Sequence, residues 1–187
     1  MDQIITWDHD LFLFLNGLGS NDWDGFWLTV TDRFTFVPLY ALLLFLIYRK
    51  MGWSVLLRVV VVAAAMILIT DQVTNLFKYG FERLRPCREP LVMDQMRMVA
   101  DHCGLYGFFS AHASNTMATA VLIGLLLRSH FKWLLTSLVL WSIMVAYSRI
   151  YVGVHYPIDV LCGLLFGAIS GWTFYKVLDK WTGRLYK

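Results

Sequence analysis

Residues 55–86 read "VLLRVVVVAAAMILITDQVTNLFKYGFERLRP", an apolar run that holds only Arg58 and Asp71 as charges before it closes on a group of cations. Its centre, "VVVVAAAMILIT" (59–70), shows no alternation of period two, which argues against a lipid-facing β-strand. A hydrocarbon layer about 30 Å thick takes roughly 20 apolar helical residues, and residues 55–77 supply them. A helix also satisfies its own backbone where no water is available. This stretch is therefore predicted to be a membrane helix whose end carries Lys78, Arg83 and Arg85.

Working outward, four more runs have the same texture, at approximately 33–48, 111–127, 133–148 and 158–178. The shorter ones draw on flanking Trp27, Phe34 and Trp133, aromatic residues that favour the headgroup level. Composition agrees: of 187 residues 58% are apolar and 16% charged, with a mean hydropathy of +0.59, against roughly a quarter charged in a soluble chain. The net charge of +3 gives no basis for a nucleic-acid partner. The expected fold is an all-α integral membrane protein, a bundle of five to six transmembrane helices with N-terminal interfacial helices. No linker or repeat divides the chain, so residues 1–187 form one domain. Within it, 1–32 is an interfacial segment ("DHDLFLFLNGL" and "WDGFWLTV" interrupted by breakers), with a sixth, shorter crossing as the alternative.

Charge placement orients the bundle. Arg49-Lys50, Arg128 with Lys132, and Lys176, Lys180, Arg184 and Lys187 all fall on one side of five crossings, which the positive-inside rule makes cytoplasmic. Asp2, Asp8, Asp10, Asp22 and Asp24 then lie outside. So does the loop 78–109, although Lys78, Arg83, Arg85, Arg88 and Arg97 make it basic. Those cations need a reason other than topology. Cys87 and Cys103 share that loop, where an oxidising compartment permits a disulfide; two free thiols are the alternative. Cys162 is read as a buried packing residue.

Three polar clusters interrupt the apolar texture: "KYGFERLRP" (78–86), "FSAH" (109–112) and "SRIYVGVHYPID" (148–159). The first ends one span, the second begins the next, and the third joins the last two. All three must therefore meet the same membrane face. Lys78 and Arg85 lie two turns apart and share a face if the helix continues to Pro86. Ser110 is placed to cap the helix that follows, whose open N–H groups attract anions. Pro157 suits a first helical position, which sets Asp159 in the first turn beside His155. Arg149 adds a planar fork that fits two oxygens of a tetrahedral anion. Three cations, a hydroxyl, a helix start and two histidines describe a site for a phosphate group. A metal site from His112, His155 and Asp159 is opposed by the cations around it, so no metal or other cofactor is expected.

The spacing of Lys78 to Arg85-Pro86, of Ser110-Ala111-His112, and of Ser148-Arg149 to His155 and Asp159 resembles the three-part signature of the type 2 phosphatidic acid phosphatase superfamily. The resemblance covers residues 78–159, and the apolar layout fits the membrane branch. It implies His155 as the nucleophile that forms a phosphohistidine, Asp159 as its orienting partner, and His112 as the acid and base. It implies Lys78, Arg85, Ser110, Ala111 and Arg149 as phosphate contacts. Phe109 and Ala111 depart from the family's usual Pro and Gly. Ala111 still offers a backbone N–H, so the contact is expected to survive with a changed turn. Arg83 and Arg88 have no place in the signature and read as solvated loop charges, or as contacts to a second phosphate. Gly163, Gly167 and Gly171 have the spacing that lets membrane helices approach closely. Asp71, one heptad before Lys78, reads as a partner for a site cation or as a water-facing charge.

The function expected from the resemblance is metal-independent dephosphorylation of a lipid phosphate or diphosphate among membrane lipids. The site would lie at the extracytoplasmic face of a bacterial cytoplasmic membrane. Undecaprenyl diphosphate is the first choice of substrate, with phosphatidylglycerophosphate or lipid A phosphate as the alternative. A lipid-phosphate binding or transport protein without hydrolysis is the rival of another class.

Overall fold

The computed structural model describes residues 2–183, all helical apart from the connections, of which 82–110 is long, and one isolated backbone bridge. Arg184 and Lys187, expected on the cytoplasmic side, lie outside the described residues. The elements are α1 (Asp2–Gly17), α2 (Asn21–Thr31), α3 (Val37–Phe81), a short 3₁₀ turn (Pro86–Arg88), α4 (Ala111–Leu126), α5 (Leu134–Tyr151) and α6 (Pro157–Trp181). Among them α3, α5 and α6 are long and apolar enough to cross a membrane, and α4 is apolar but shorter.

α3 contains two of the expected spans. It is two helices joined by a kink at Gly52, whose backbone (φ 81°, ψ 175°) is not helical. That region belongs almost solely to glycine. The break lets residues 37–51 and 53–81 face each other: Leu43 and Ile47 of the first arm share a core with Val59, Val62 and Met66 of the second. The five expected spans are thus the two arms of α3 together with α4, α5 and α6.

α4 is the central helix. It buries residues on every side, among them Ala113, Met117, Ala120 and Leu122, whereas α3 and α6 expose large apolar side chains such as Phe45, Leu68, Leu165 and Ile169 outward. Its tightest partner is α6. A Cβ on Gly163 would come within 2.6 Å of the Ser110 carbonyl oxygen, and one on Gly167 or Gly171 would strike the carbonyls of Ser114 or Ala118. The absence of side chains at these three positions sets the α4–α6 separation.

α1 and α2 dock on the bundle rather than standing off it. α1 exposes Ile4, Trp7, Leu11 and Phe14 but buries Asp8 and Asn16. Asn16 donates to the carbonyls of Arg97 (3.0 Å) and Tyr151 (2.9 Å) and accepts from Arg97 N–H (2.7 Å). The inward face of α1 thus combines Asp8 and Asn16 with the fully buried Phe12, while Ile4, Trp7, Leu11 and Phe14 point outward. A second group of basic residues lies at the far end: Lys50 lies over Phe131 (5.9 Å) and Arg58 over Trp181 (5.9 Å). The three polar clusters sit at the opposite end.

Candidate active site

The turn from α5 into α6 positions the third cluster. After Tyr151 the chain wraps back so that Val154 and His155 N–H both donate to the Arg149 carbonyl, at 3.1 and 3.2 Å. Pro157 then opens α6 with Asp159 in the first turn. One Asp159 carboxylate oxygen accepts from Tyr156 N–H (3.1 Å) and faces His155 Nδ1 at 3.4 Å. A carboxylate there assigns the ring proton to Nδ1 and leaves the Nε2 lone pair free. His155 is 2% exposed. Burial, reinforced by the positive charges of Arg85, Arg149 and Lys78, holds it well below its ordinary value of 6.5, while a hydrogen bond with the Gly107 backbone acts the other way. The imidazole is therefore neutral at pH 7.

The second cluster meets the third through the backbone. Ser110 N–H donates to the Asp159 carbonyl (3.0 Å), and Ser110 Oγ caps α4 by accepting from Ala113 N–H (3.5 Å). Phe109, standing where the signature has Pro, is buried against Phe77 and Phe166, with ring centroids 5.2 Å away in each case. Aromatic packing thus replaces a rigid ring in fixing the entry to α4. Ala111 and His112 line a cavity of about 260 Å³ at the start of that helix. Arg149 and His155 lie within electrostatic reach of His112.

The first cluster does not form the continuous helix face expected of it. α3 stops at Phe81, where Glu82 turns left-handed (φ 50°). Gly80 just before it weakens the helix. Lys78 stays on the last helical turn, while Arg85 comes from the loop, registered by the Leu84–Tyr106 bridge. Arg85 donates through Nε to the Tyr106 carbonyl (3.0 Å) and through Nη1 to that of Val154 (3.4 Å). Gly107 closes the gap: a Cβ there would lie 3.0 Å from the Asp159 carboxylate and 3.2 Å from Arg85 Cγ. Arg149 donates to Thr31 Oγ1, and its Nε is buried without a hydrogen-bond partner among the described residues. Lys78, Arg85 and Arg149 converge on His155 by different routes.

A family model described as the PAP2 superfamily matches residues 54–182 of the chain. The chain belongs to the PAP2 superfamily. This PAP2 protein is 37% identical over 181 residues to a lipid A 4'-phosphatase of Bacteroides thetaiotaomicron, covering 95% of this chain and 80% of that one. It is 31% identical over 156 residues to an undecaprenyl-diphosphatase of Sulfolobus acidocaldarius, covering 83% and 68%. Its fold matches the crystal structure of a transmembrane PAP2-type phosphatidylglycerolphosphate phosphatase from Bacillus subtilis, with a TM-score of 0.77, 18% identity, and 100% and 90% of the two chains covered. It is an enzyme, a membrane lipid phosphatase of PAP2 type.

Sequence reasoning missed two residues that bear on Asp159. Arg83, read as a solvated charge or a second-phosphate contact, bridges Asp159 (2.8 Å) and Asp8 (2.5 Å). It also lies over the Tyr156 ring at 4.3 Å. Asp8, 2% exposed, takes a further bond from Ile158 N–H (3.0 Å). The N-terminal helix thereby reaches the carboxylate that faces His155. No spacing rule links positions 8 and 83, although an Asp between apolar neighbours in "ITWDHDLFLF" was a signal available. Arg88 donates to the Cys103 carbonyl (3.3 Å), and Cys87 is disulfide-bonded to Cys103. Asp71 accepts from Asn115 (2.7 Å) rather than from a site cation.

Proposed function

We propose that this enzyme removes a phosphate from the sugar of a lipid A-type glycolipid, at the extracytoplasmic face of a bacterial cytoplasmic membrane. The observation that carries the substrate is the near full-length likeness to a lipid A 4'-phosphatase, higher in identity and coverage than the likeness to an undecaprenyl-diphosphatase. Undecaprenyl diphosphate, first choice from the sequence, therefore gives way to the alternative. The charge distribution supports the orientation, with Lys50 and Arg58 at the end away from the site. On this reading residues 1–187 act as one domain, the loop 78–109 is extracytoplasmic, and α1 and α2 lie in the outer interface with their apolar faces in lipid.

Neutral His155 attacks phosphorus through Nε2, forming a P–N bond as the P–O bond to the sugar breaks. His112 gives its proton to the departing oxygen. Asp159 stabilises the imidazolium that results, and Lys78, Arg85 and Arg149, with the Ser110 hydroxyl and the Ala111 N–H that opens α4, hold the phosphoryl oxygens. His112 then takes a proton from water, which attacks phosphorus, breaks the P–N bond and releases phosphate.

The test is phosphate release by detergent-purified enzyme from a phosphorylated lipid A, undecaprenyl diphosphate and phosphatidylglycerophosphate, with chelator, with vanadate, and with His155→Ala. Preference for the glycolipid, persistence in chelator, inhibition by vanadate and loss in the variant are expected. A preference for the diphosphate would overturn the substrate, and a requirement for added metal the mechanism.

A further inference from the structure

The cavity beside His112 has walls that the phosphate chemistry does not use. Lys78, Arg85 and Arg149 are not among them; Asp32, Arg33, Asp71 and Asn115 are. A group that protonates a leaving oxygen must lie between the phosphoryl group and whatever departs. The cavity that His112 and Ala111 border, with Asp71 and Asn115 on its other walls, is therefore the room open to a departing alcohol. Two carboxylates against one guanidinium make it a poor place for a second phosphate and a good one for a neutral, hydroxylated group.

Within that cavity Asp71 has the most specific geometry. It lies about 10 Å deeper along α3 than Lys78, where a carboxylate in a membrane helix is costly and marks a site. Its Oδ1 accepts from Asn115 Nδ2 at 2.7 Å, and among the described residues no other side-chain hydrogen bond engages its carboxylate, which leaves Oδ2 available to a donor. Asn115 also lines the apolar cleft of about 420 Å³ between the arms of α3 and α4, together with Leu43, Val60 and Ile67. The pair thus stands at the border between a polar chamber and an apolar one.

We infer that Asp71, held in place by Asn115, accepts a hydrogen bond from a hydroxyl on the departing sugar and so selects glycolipid phosphates over phosphates of simple alcohols. This rests on the proposed function and adds to it the residues that read the leaving group. A site built to accept from a hydroxyl discriminates against analogues that lack one.

The experiment compares Asp71→Ala and Asn115→Ala with wild type on a phosphorylated lipid A and on monodecyl phosphate, whose leaving alcohol has no second hydroxyl. Asp71→Asn, closest in shape, serves if the alanine variants do not fold. Inhibition by inorganic phosphate reports on the phosphate contacts in each. The expected result is a fall in kcat/KM of about 10- to 100-fold on the glycolipid, with the decyl ester and phosphate inhibition changed by less than about 3-fold. Equal losses on both substrates, or no loss on either, overturn this inference alone. A wild type that cleaves decyl phosphate and ignores the glycolipid overturns the proposed function and this inference with it.

Discussion

At the scale of single residues, the proposed chemistry depends on a histidine that stays neutral. On that proposal His155 reacts in its unprotonated form, and burial together with the cations Arg85, Arg149 and Lys78 lowers its proton affinity. A lowered value extends the active form toward acid. The acid limb of kcat/KM that belongs to this residue should accordingly lie below the ordinary 6.5, as measured on substrate from pH 4 to 8. Arg85→Ala, which removes one of those charges, should move that limb upward while also lowering the rate through the lost phosphate contact. Asp8 acts at one remove. Asp8→Ala removes one of the two buried carboxylates that hold Arg83, and it should lower kcat by about 10-fold with little change in KM. It should also cost about 1–3 kcal/mol in detergent unfolding, whereas Asp8→Asn should recover part of both. Equal effects on kcat and KM would count against a positioning role.

At the scale of elements, the helices were legible because lipid demands long apolar runs, and their boundaries fell near Pro38, Pro157 and Gly52, where backbone chemistry marks them. The end of α3 was misread. Periodicity continues through "KYGFERLRP", but the Leu84–Tyr106 pairing takes the chain away from the helix, and that partner lies over twenty residues on. His155, Asp159 and Ser110 could be placed from local spacing, since capping and first-turn geometry are local. Asp8 and Asn16 could not, because each is satisfied by residues that only the assembled bundle brings near. Gly167 is the element-scale test. Gly167→Val would drive its side chain into the Ser114 carbonyl, and since backbone cannot yield as a side chain does, destabilisation of more than about 3 kcal/mol is expected by thermal unfolding. Gly52→Ala, with room around it but an unsuitable φ, should cost about 1–3 kcal/mol.

At the scale of the whole molecule, two predictions concern the bundle in its membrane. A C-terminal fluorescent-protein fusion should fluoresce in the cytoplasm, and an alkaline-phosphatase fusion at the same point should stay inactive; the reverse would invert the orientation and place the site inside. The Cys87–Cys103 bond closes a loop with a separation of 16 residues that begins just after Arg85, and the double Cys→Ser variant should lose about 2–3 kcal/mol of stability. The link from Asp8 through Arg83 to Asp159 also bears on biogenesis. Translation delivers α1 first and α6 last, so the opening helix must wait for nearly all the polypeptide before its aspartate meets the guanidinium in a finished setting. Ribosome-bound or C-terminally truncated intermediates should thus be inserted yet inert, and a bulky N-terminal fusion that pulls α1 away should yield a correctly threaded protein with little turnover.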